Sequence, residues 1–157
     1  MMEQKGLFSQ KANFDDRPPK DYCLMETAVV WSRRSTCPRG SVGAVLAMGT
    51  RIISIGYGGP PPGEPHCTEV GCLIEDPKEG CIRTIHAEIN AIGFAARYGI
   101  STEGSTMYVT LSPCFRCSQA ILAAGVKKLV YMMPYRDTRG IDFLSGKGVE
   151  VVKFPRL

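Results

Sequence analysis

The chain has 157 residues, 44% of them hydrophobic and 22% charged, and a formal net charge of +4 from 19 basic and 15 acidic residues. That length suits one domain able to bury its own core, and the composition excludes collagen-like, low-complexity and strongly acidic chains. No basic block is longer than two residues, which argues against a nucleic-acid groove, and no segment resembles a signal peptide or a membrane span.

Residues 1–16 are polar with scattered Phe8 and Phe14 and show no period, so they read as an N-terminal arm ahead of a single domain over 17–157. Pro18-Pro19 closes the arm. A helix is expected from Asp21 to about Arg34, with Tyr22, Met25, Ala28, Val29 and Ser32 on its core face. Val42 to Ala47 and Arg51 to Tyr57 are apolar runs split by Met48-Gly49-Thr50, the pattern of a hairpin. The glycine–proline stretch Gly58 to Gly63 can be neither helix nor central strand, and the irregular chain continues to Cys81. Loops that long are usually functional or fastened, and Cys67, Cys72 and Cys81 could fasten this one.

A second helix runs from His86 to about Tyr98 with Ile89, Ile92, Gly93 and Ala96 as its packed stripe, and Gly99 stops it. A strand spans Thr106 to Leu111. Ser112 as N-cap and Pro113 at the first helical position then open a helix to Ala124, stopped by Gly125. Lys127 to Met132 reads as a strand, Thr138 to Ser145 as a short helix and Val149 to Phe154 as a last strand. The last three strands each follow a helix, so parallel crossovers are expected, giving an α/β fold with a mixed five-stranded sheet between helical layers.

Two short motifs flank the third strand: His86-Ala87-Glu88, and Pro113-Cys114-Phe115-Arg116-Cys117. His86, Cys114 and Cys117 are the ligands of an open zinc site, in which three protein ligands leave the fourth position to water. Cys114 and Cys117, three apart, are expected to share a helix face, and Glu88 near a helix mouth could take a proton from the bound water. A structural zinc, a redox Cys-x-x-Cys or a zinc-ribbon binding module would use the same cysteines. None of these needs a carboxylate two residues after the histidine. Seven cysteines is an odd count and two form the Cys-x-x-Cys, so a reducing cytoplasm and metal-bound thiolates explain them better than disulfides.

The His-x-Glu … Pro-Cys-x-x-Cys signature is the known mark of zinc base deaminases, and on it the chain resembles the zinc-dependent cytidine/deoxycytidylate deaminase superfamily. Within that superfamily the deoxycytidylate (dCMP) deaminases are the most similar, through Ser41 to Val45, Arg51 to Tyr57, Ile85 to Ile92 and Met107 to Cys114. The resemblance covers Arg17 to Val152 and implies a cytidine-deaminase-like three-layer α/β/α sandwich. It implies hydrolysis of dCMP to dUMP and ammonia, with dUMP feeding dTTP synthesis and Glu88 moving protons to N3 and the leaving amine. It assigns the NH of Ala87 to the O2 carbonyl and the carbonyl of Ser112 to the exocyclic amine. Arg39 matches a position where bacterial relatives have arginine and is a candidate for the 5′-phosphate, and Tyr135 for the sugar or phosphate. Free cytidine, riboflavin-pathway pyrimidines and a tRNA base are the other substrates the superfamily offers.

Some dCMP deaminases carry a structural zinc with cysteines where Cys37 and Cys67 stand. Cys72 and Cys81 would complete an all-sulfur set here, with His66 as a substitute and free buried thiols as the alternative. Cys23 reads as such a buried thiol. Relatives regulated by dCTP and dTTP, usually hexamers with magnesium, carry Gly-Tyr-Asn-Gly, whereas this chain has Gly56-Tyr57-Gly58-Gly59. Its glycine-rich turn is expected to offer main-chain NH groups to an effector, beside an interface segment from Phe94 to Arg97.

Overall fold

The computed structural model describes residues 17–76 and 80–155, so the arm expected over residues 1–16 lies outside the described residues. Five strands, β1 (Gly43–Met48), β2 (Arg51–Tyr57), β3 (Thr106–Leu111), β4 (Lys128–Met133) and β5 (Glu150–Lys153), form one sheet in the order β2-β1-β3-β4-β5. β1 is antiparallel to β2 and β3, while β3, β4 and β5 run parallel. The sheet is therefore mixed, a hairpin extended by crossover units.

The helices are α1 (Lys20–Ser32), α2 (Cys67–Val70), α3 (Ala87–Arg97), α4 (Phe115–Ala123) and α5 (Arg139–Gly146). Period-two side chains divide the core between the sheet's two faces. Val45, Ala47, Tyr108 and Val130 pack with Leu24, Met25 and Ala28 of α1. Ala44, Leu46, Met107, Val109 and Leu129 pack on the other face with Ala87 and Ala91 of α3, Ile121 of α4 and Leu144 of α5. The result is three layers, α1 on one side and α3, α4 and α5 on the other. Among the described residues, no helix is long and apolar enough to cross a membrane.

Three expectations are corrected. The fully buried stripe of α3 is Ala87, Glu88, Ala91 and Ala95; of the expected residues Ile92 packs against the core while half-buried, and Gly93 and Ala96 are exposed. The reason is distance: a Cβ on Gly56 of β2 would overlap the carbonyl oxygen of Ala87 and the nitrogen of Ala91, so helix and strand approach too closely for isoleucine between them. The long loop is not wholly irregular, because α2 forms within it, with Glu69 accepting the NH of His66 at 2.9 Å. Cys23, expected to be a buried thiol, is exposed on α1.

Candidate active site

The two helix starts that carry the motif residues meet at one end of the sheet, where β2, β3 and β4 finish. His86 is the N-cap of α3, with extended backbone (φ −66°, ψ 152°), and Cys114 is the N-cap of α4 (φ −67°, ψ 167°). The expected N-cap, Ser112, is engaged elsewhere, its hydroxyl accepting the NH of Tyr135 at 2.7 Å. Cys114 thus precedes the helix and Cys117 lies in its first turn. The two thiols are brought together by a side chain folded over the helix mouth, not by a shared helical face. Gly140 of α5 supports this turn, since a Cβ there would overlap the Pro113 carbonyl oxygen and crowd Cys114.

His86 Nδ1 lies 3.6 Å from Cys114 Sγ and 3.3 Å from Cys117 Sγ. Metal–sulfur bonds of ~2.3 Å and metal–nitrogen bonds of ~2.0 Å in a tetrahedral centre separate nitrogen from sulfur by about 3.5 Å, so this donor set fits zinc. The protonation pattern agrees. A hydrogen bond from the Cys117 thiol, aided by His86, brings Cys114 down to about 4, while the same contact with Cys114, together with burial, raises Cys117. The hydrogen bond to Cys114 in turn raises His86. Both thiols sit at the positive end of α4, which favours their thiolate forms as ligands of a cation.

Glu88 is only 3% exposed and its carboxyl is close enough to Cys117 to share a hydrogen bond. Burial pushes it up to about 7, against the opposing pull of its own backbone NH and of His86. A carboxyl poised near neutrality beside a metal-ligand cluster is suited to accepting and returning a proton. These groups face a cavity of about 320 Å³, whose lining includes His86, Glu88, Cys114, Arg39 and Tyr135. Ala87 and Ser112 line it too. As the first residue of its helix, Ala87 has an NH without an intrahelical acceptor.

The family model for the cytidine and deoxycytidylate deaminase zinc-binding region matches residues 18–133. The chain belongs to the cytidine and deoxycytidylate deaminase family. The deoxycytidylate deaminase of enterobacteria phage T4 is 37% identical over 171 aligned positions, covering 85% of this chain and 89% of the phage protein. ComE operon protein 2 of Bacillus subtilis is 46% identical over 103 residues, covering 66% of this chain and 53% of that protein, so the match spans about half the length of that relative. Among solved structures, the dCMP deaminase of cyanophage S-TIM5 in complex with dCMP and dUMP aligns with a TM-score of 0.79 at 39% identity, over 88% of this chain and 98% of that one.

In this deaminase a second cluster stands beside the first. Ligand atoms of Cys37, Cys67 and Cys72 all lie within 4.8 Å of one another, and Cys81 Sγ is 3.6 Å from Cys67 Sγ. Sulfurs of a tetrahedral four-thiolate zinc lie about 3.8 Å apart, whereas a disulfide needs ~2.05 Å. Burial pushes the Cys81 thiol up, but hydrogen bonds from the NH groups of Leu73 and Arg83 outweigh it and leave it at about 7. The substitute His66 turns away from this role: its Nδ1 pairs with Thr36 Oγ1 at 3.1 Å.

The glycine-rich turn does not match its expectation. The NH of Gly58 donates to Val42 at 3.1 Å and that of Gly59 to Ile85 at 3.3 Å, so neither is available to an anion, and Gly56 is pressed under α3. Gly58 belongs to the wall of the catalytic cavity. Tyr57 and Gly59 instead line a second cavity of about 690 Å³ with Trp31 and Phe94, and Arg97 is not in that lining. Sequence reasoning missed Arg136, which lines the catalytic cavity next to Tyr135, its guanidinium 5.7 Å from that ring. The signal available was its adjacency to Tyr135 in a loop that leaves a parallel strand, where sites of α/β sheets gather.

Proposed function

We propose that this chain hydrolyses dCMP to dUMP and ammonia in a zinc-dependent reaction, supplying dUMP for dTTP synthesis in the cytoplasm, where its thiols stay reduced. The observation that carries this reading is the buried carboxyl of Glu88 against the His86, Cys114 and Cys117 cluster, in a cavity rimmed by arginines. The relatives named deoxycytidylate deaminase support the substrate.

A zinc ion held by His86, Cys114 and Cys117 supplies, when bound, a water acidic enough to attack near neutral pH. Glu88 takes a proton from the attacking water and places it on N3 of the cytosine ring as the C4–O bond forms. It then carries the remaining hydroxyl proton to the exocyclic nitrogen, the C4–N bond breaks, and ammonia leaves. The NH of Ala87 holds the O2 carbonyl and the carbonyl of Ser112 accepts from the exocyclic amine, fixing the ring for attack. Arg39 and Arg136 supply positive charge for the 5′-phosphate, with Tyr135 beside them.

The Cys37, Cys67, Cys72 and Cys81 cluster is the seat of a second, structural zinc, so metal analysis should give two zincs per chain. The chain works as a homo-oligomer, a hexamer, whose activity responds to dCTP and dTTP with magnesium. The second cavity offers the stacked Trp31 and Tyr57 rings, 6.1 Å apart, and among the described residues its lining includes no lysine or arginine. Magnesium bound with the triphosphate fits such a site.

Ammonia release from dCMP, dCTP, cytidine and dC-containing oligonucleotides tests the substrate. Activity confined to dCMP is the expected result. Turnover of cytidine or an oligonucleotide with none of dCMP would reassign the site.

A further inference from the structure

We infer that the four-cysteine cluster positions the substrate pocket: a metal held by Cys37, Cys67, Cys72 and Cys81 clamps two walls of the catalytic cavity, so its occupancy sets nucleotide affinity. This rests on reading the cluster as a metal site. Cys37 and Cys81 come from distant parts of the sequence, yet both line the same cavity as His86 and Glu88, while Cys67 and Cys72 stand behind that lining. Each lining cysteine leads directly into a segment the chemistry uses. Two positions after Cys37 comes Arg39, in the cavity lining and proposed above for the phosphate.

Cys81 leads through Thr84, also in the lining, to His86, along a stretch that is neither helix nor strand. Among the described residues these segments are joined by individual hydrogen bonds outside any long ladder. Leu73 NH reaches Cys81 Sγ at 3.3 Å, the Leu73 carbonyl accepts the NH of Ile82 at 2.9 Å, Cys67 Sγ meets Thr84 Oγ1 at 3.4 Å, and Gly59 and Ile85 pair in an isolated bridge. On the other wall, the NH of Thr36 donates to the Gly58 carbonyl at 3.0 Å and Ser35 Oγ to the Gly40 carbonyl at 3.0 Å. Each contact of this kind is much weaker than a metal–thiolate bond. A cation bonded to all four sulfurs therefore fixes the separation of the two walls, and with it the distance from Arg39 to the floor of the pocket.

Cys72→Ser removes a ligand without altering the cavity surface. The variant should hold one metal fewer per chain, with KM for dCMP raised roughly tenfold, inside the ~5–150-fold range of ordinary site coupling, and kcat within about threefold of wild type. Coupling in binding is reciprocal, so dCMP must also tighten the cluster's hold on its metal. This is measured on Glu88→Gln protein reconstituted with cobalt(II). Ligand-field bands separate the all-sulfur centre from the mixed nitrogen–sulfur one, and their intensity at equilibrium is followed against chelator concentration with and without dCMP. A higher chelator midpoint for the all-sulfur bands with dCMP is the expected result. Loss of one metal with an unchanged KM overturns the inference and leaves the metal site standing. A wild-type ratio of one metal per chain overturns the metal reading and the inference together. If Cys72→Ser does not fold, a chelator midpoint indifferent to dCMP overturns the inference by itself.

Discussion

Glu88 is almost shut off from bulk solvent, within the first turn of α3 and against Cys117, while its carboxyl lines the cavity, an environment that suits the proton carrier proposed above. Glu88→Gln preserves the shape and the ligand triad but removes the titrating group. Turnover should fall by at least ~10²–10⁴-fold while zinc content and dCMP binding persist, measured by ammonia release, metal analysis and calorimetry. Near-normal turnover would remove Glu88 from the mechanism. Arg39 is exposed on the cavity rim and should act through binding of the phosphate. Arg39→Ala should lower kcat/KM for dCMP by about ten- to hundredfold and leave the weaker deoxycytidine reaction nearly unchanged. A proportional fall for both substrates would make Arg39 a structural residue.

At the scale of elements, α3 owes its position to close approach. Gly56 admits the Ala87–Ala91 turn, Ser54 Oγ donates to the Ala91 carbonyl at 2.6 Å, and Asn90 Nδ2 donates to the Tyr57 carbonyl at 2.6 Å. Gly56→Ala forces the helix off the strand, so thermal unfolding should show a loss of about 1–3 kcal/mol, with weaker zinc affinity because Ala87 adjoins His86. Unchanged stability and metal affinity would show that the layers can part freely.

On the opposite face, buried Tyr108 of β3 donates its hydroxyl to Asp21 of α1 at 2.7 Å. Burial, and then the hydrogen bond and charge of Asp21, raise the Tyr108 hydroxyl above its usual 10.0. The folded state thus keeps a proton that the unfolded chain releases above about pH 10, so unfolding stability declines there as pH rises, by up to ~1.4 kcal/mol per pH unit from this group. Tyr108→Phe should cost about 1–2 kcal/mol at neutral pH and flatten the alkaline decline. Denaturant unfolding at pH 7 to 11 decides, and an unaltered alkaline slope would refute the assignment.

Over the whole molecule, Trp31, Ile52 and Phe94 are exposed around the second cavity and Tyr98 packs against Phe94, which fits the proposed assembly of several copies. Light scattering should give a mass well above 17.1 kDa, and dCMP saturation should shift on addition of dCTP or dTTP with magnesium. A monomer with a hyperbolic curve indifferent to both nucleotides would refute both proposals.

The elements and the grouping of His86, Cys114 and Cys117 were legible in the sequence because each rests on local chemistry. Short apolar runs marked the strands, helix stops marked the turns, and the spacing of His86, Glu88, Cys114 and Cys117 restricted what those groups could do. The tertiary structure decided what depends on distances between segments remote in the chain. It moved the cap from Ser112 to Cys114, because the Ser112 hydroxyl meets an NH that arrives from beyond β4. It chose alanines over isoleucines for the buried stripe of α3, because a glycine on β2 brings the layers close. It engaged the glycine-turn NH groups in pairing with Val42 and Ile85, and it gathered Cys37, Cys67, Cys72 and Cys81 against the catalytic cavity. Composition and period describe a residue's own surroundings along the chain, whereas close approach and shared walls arise only when the sheet has brought its neighbours together.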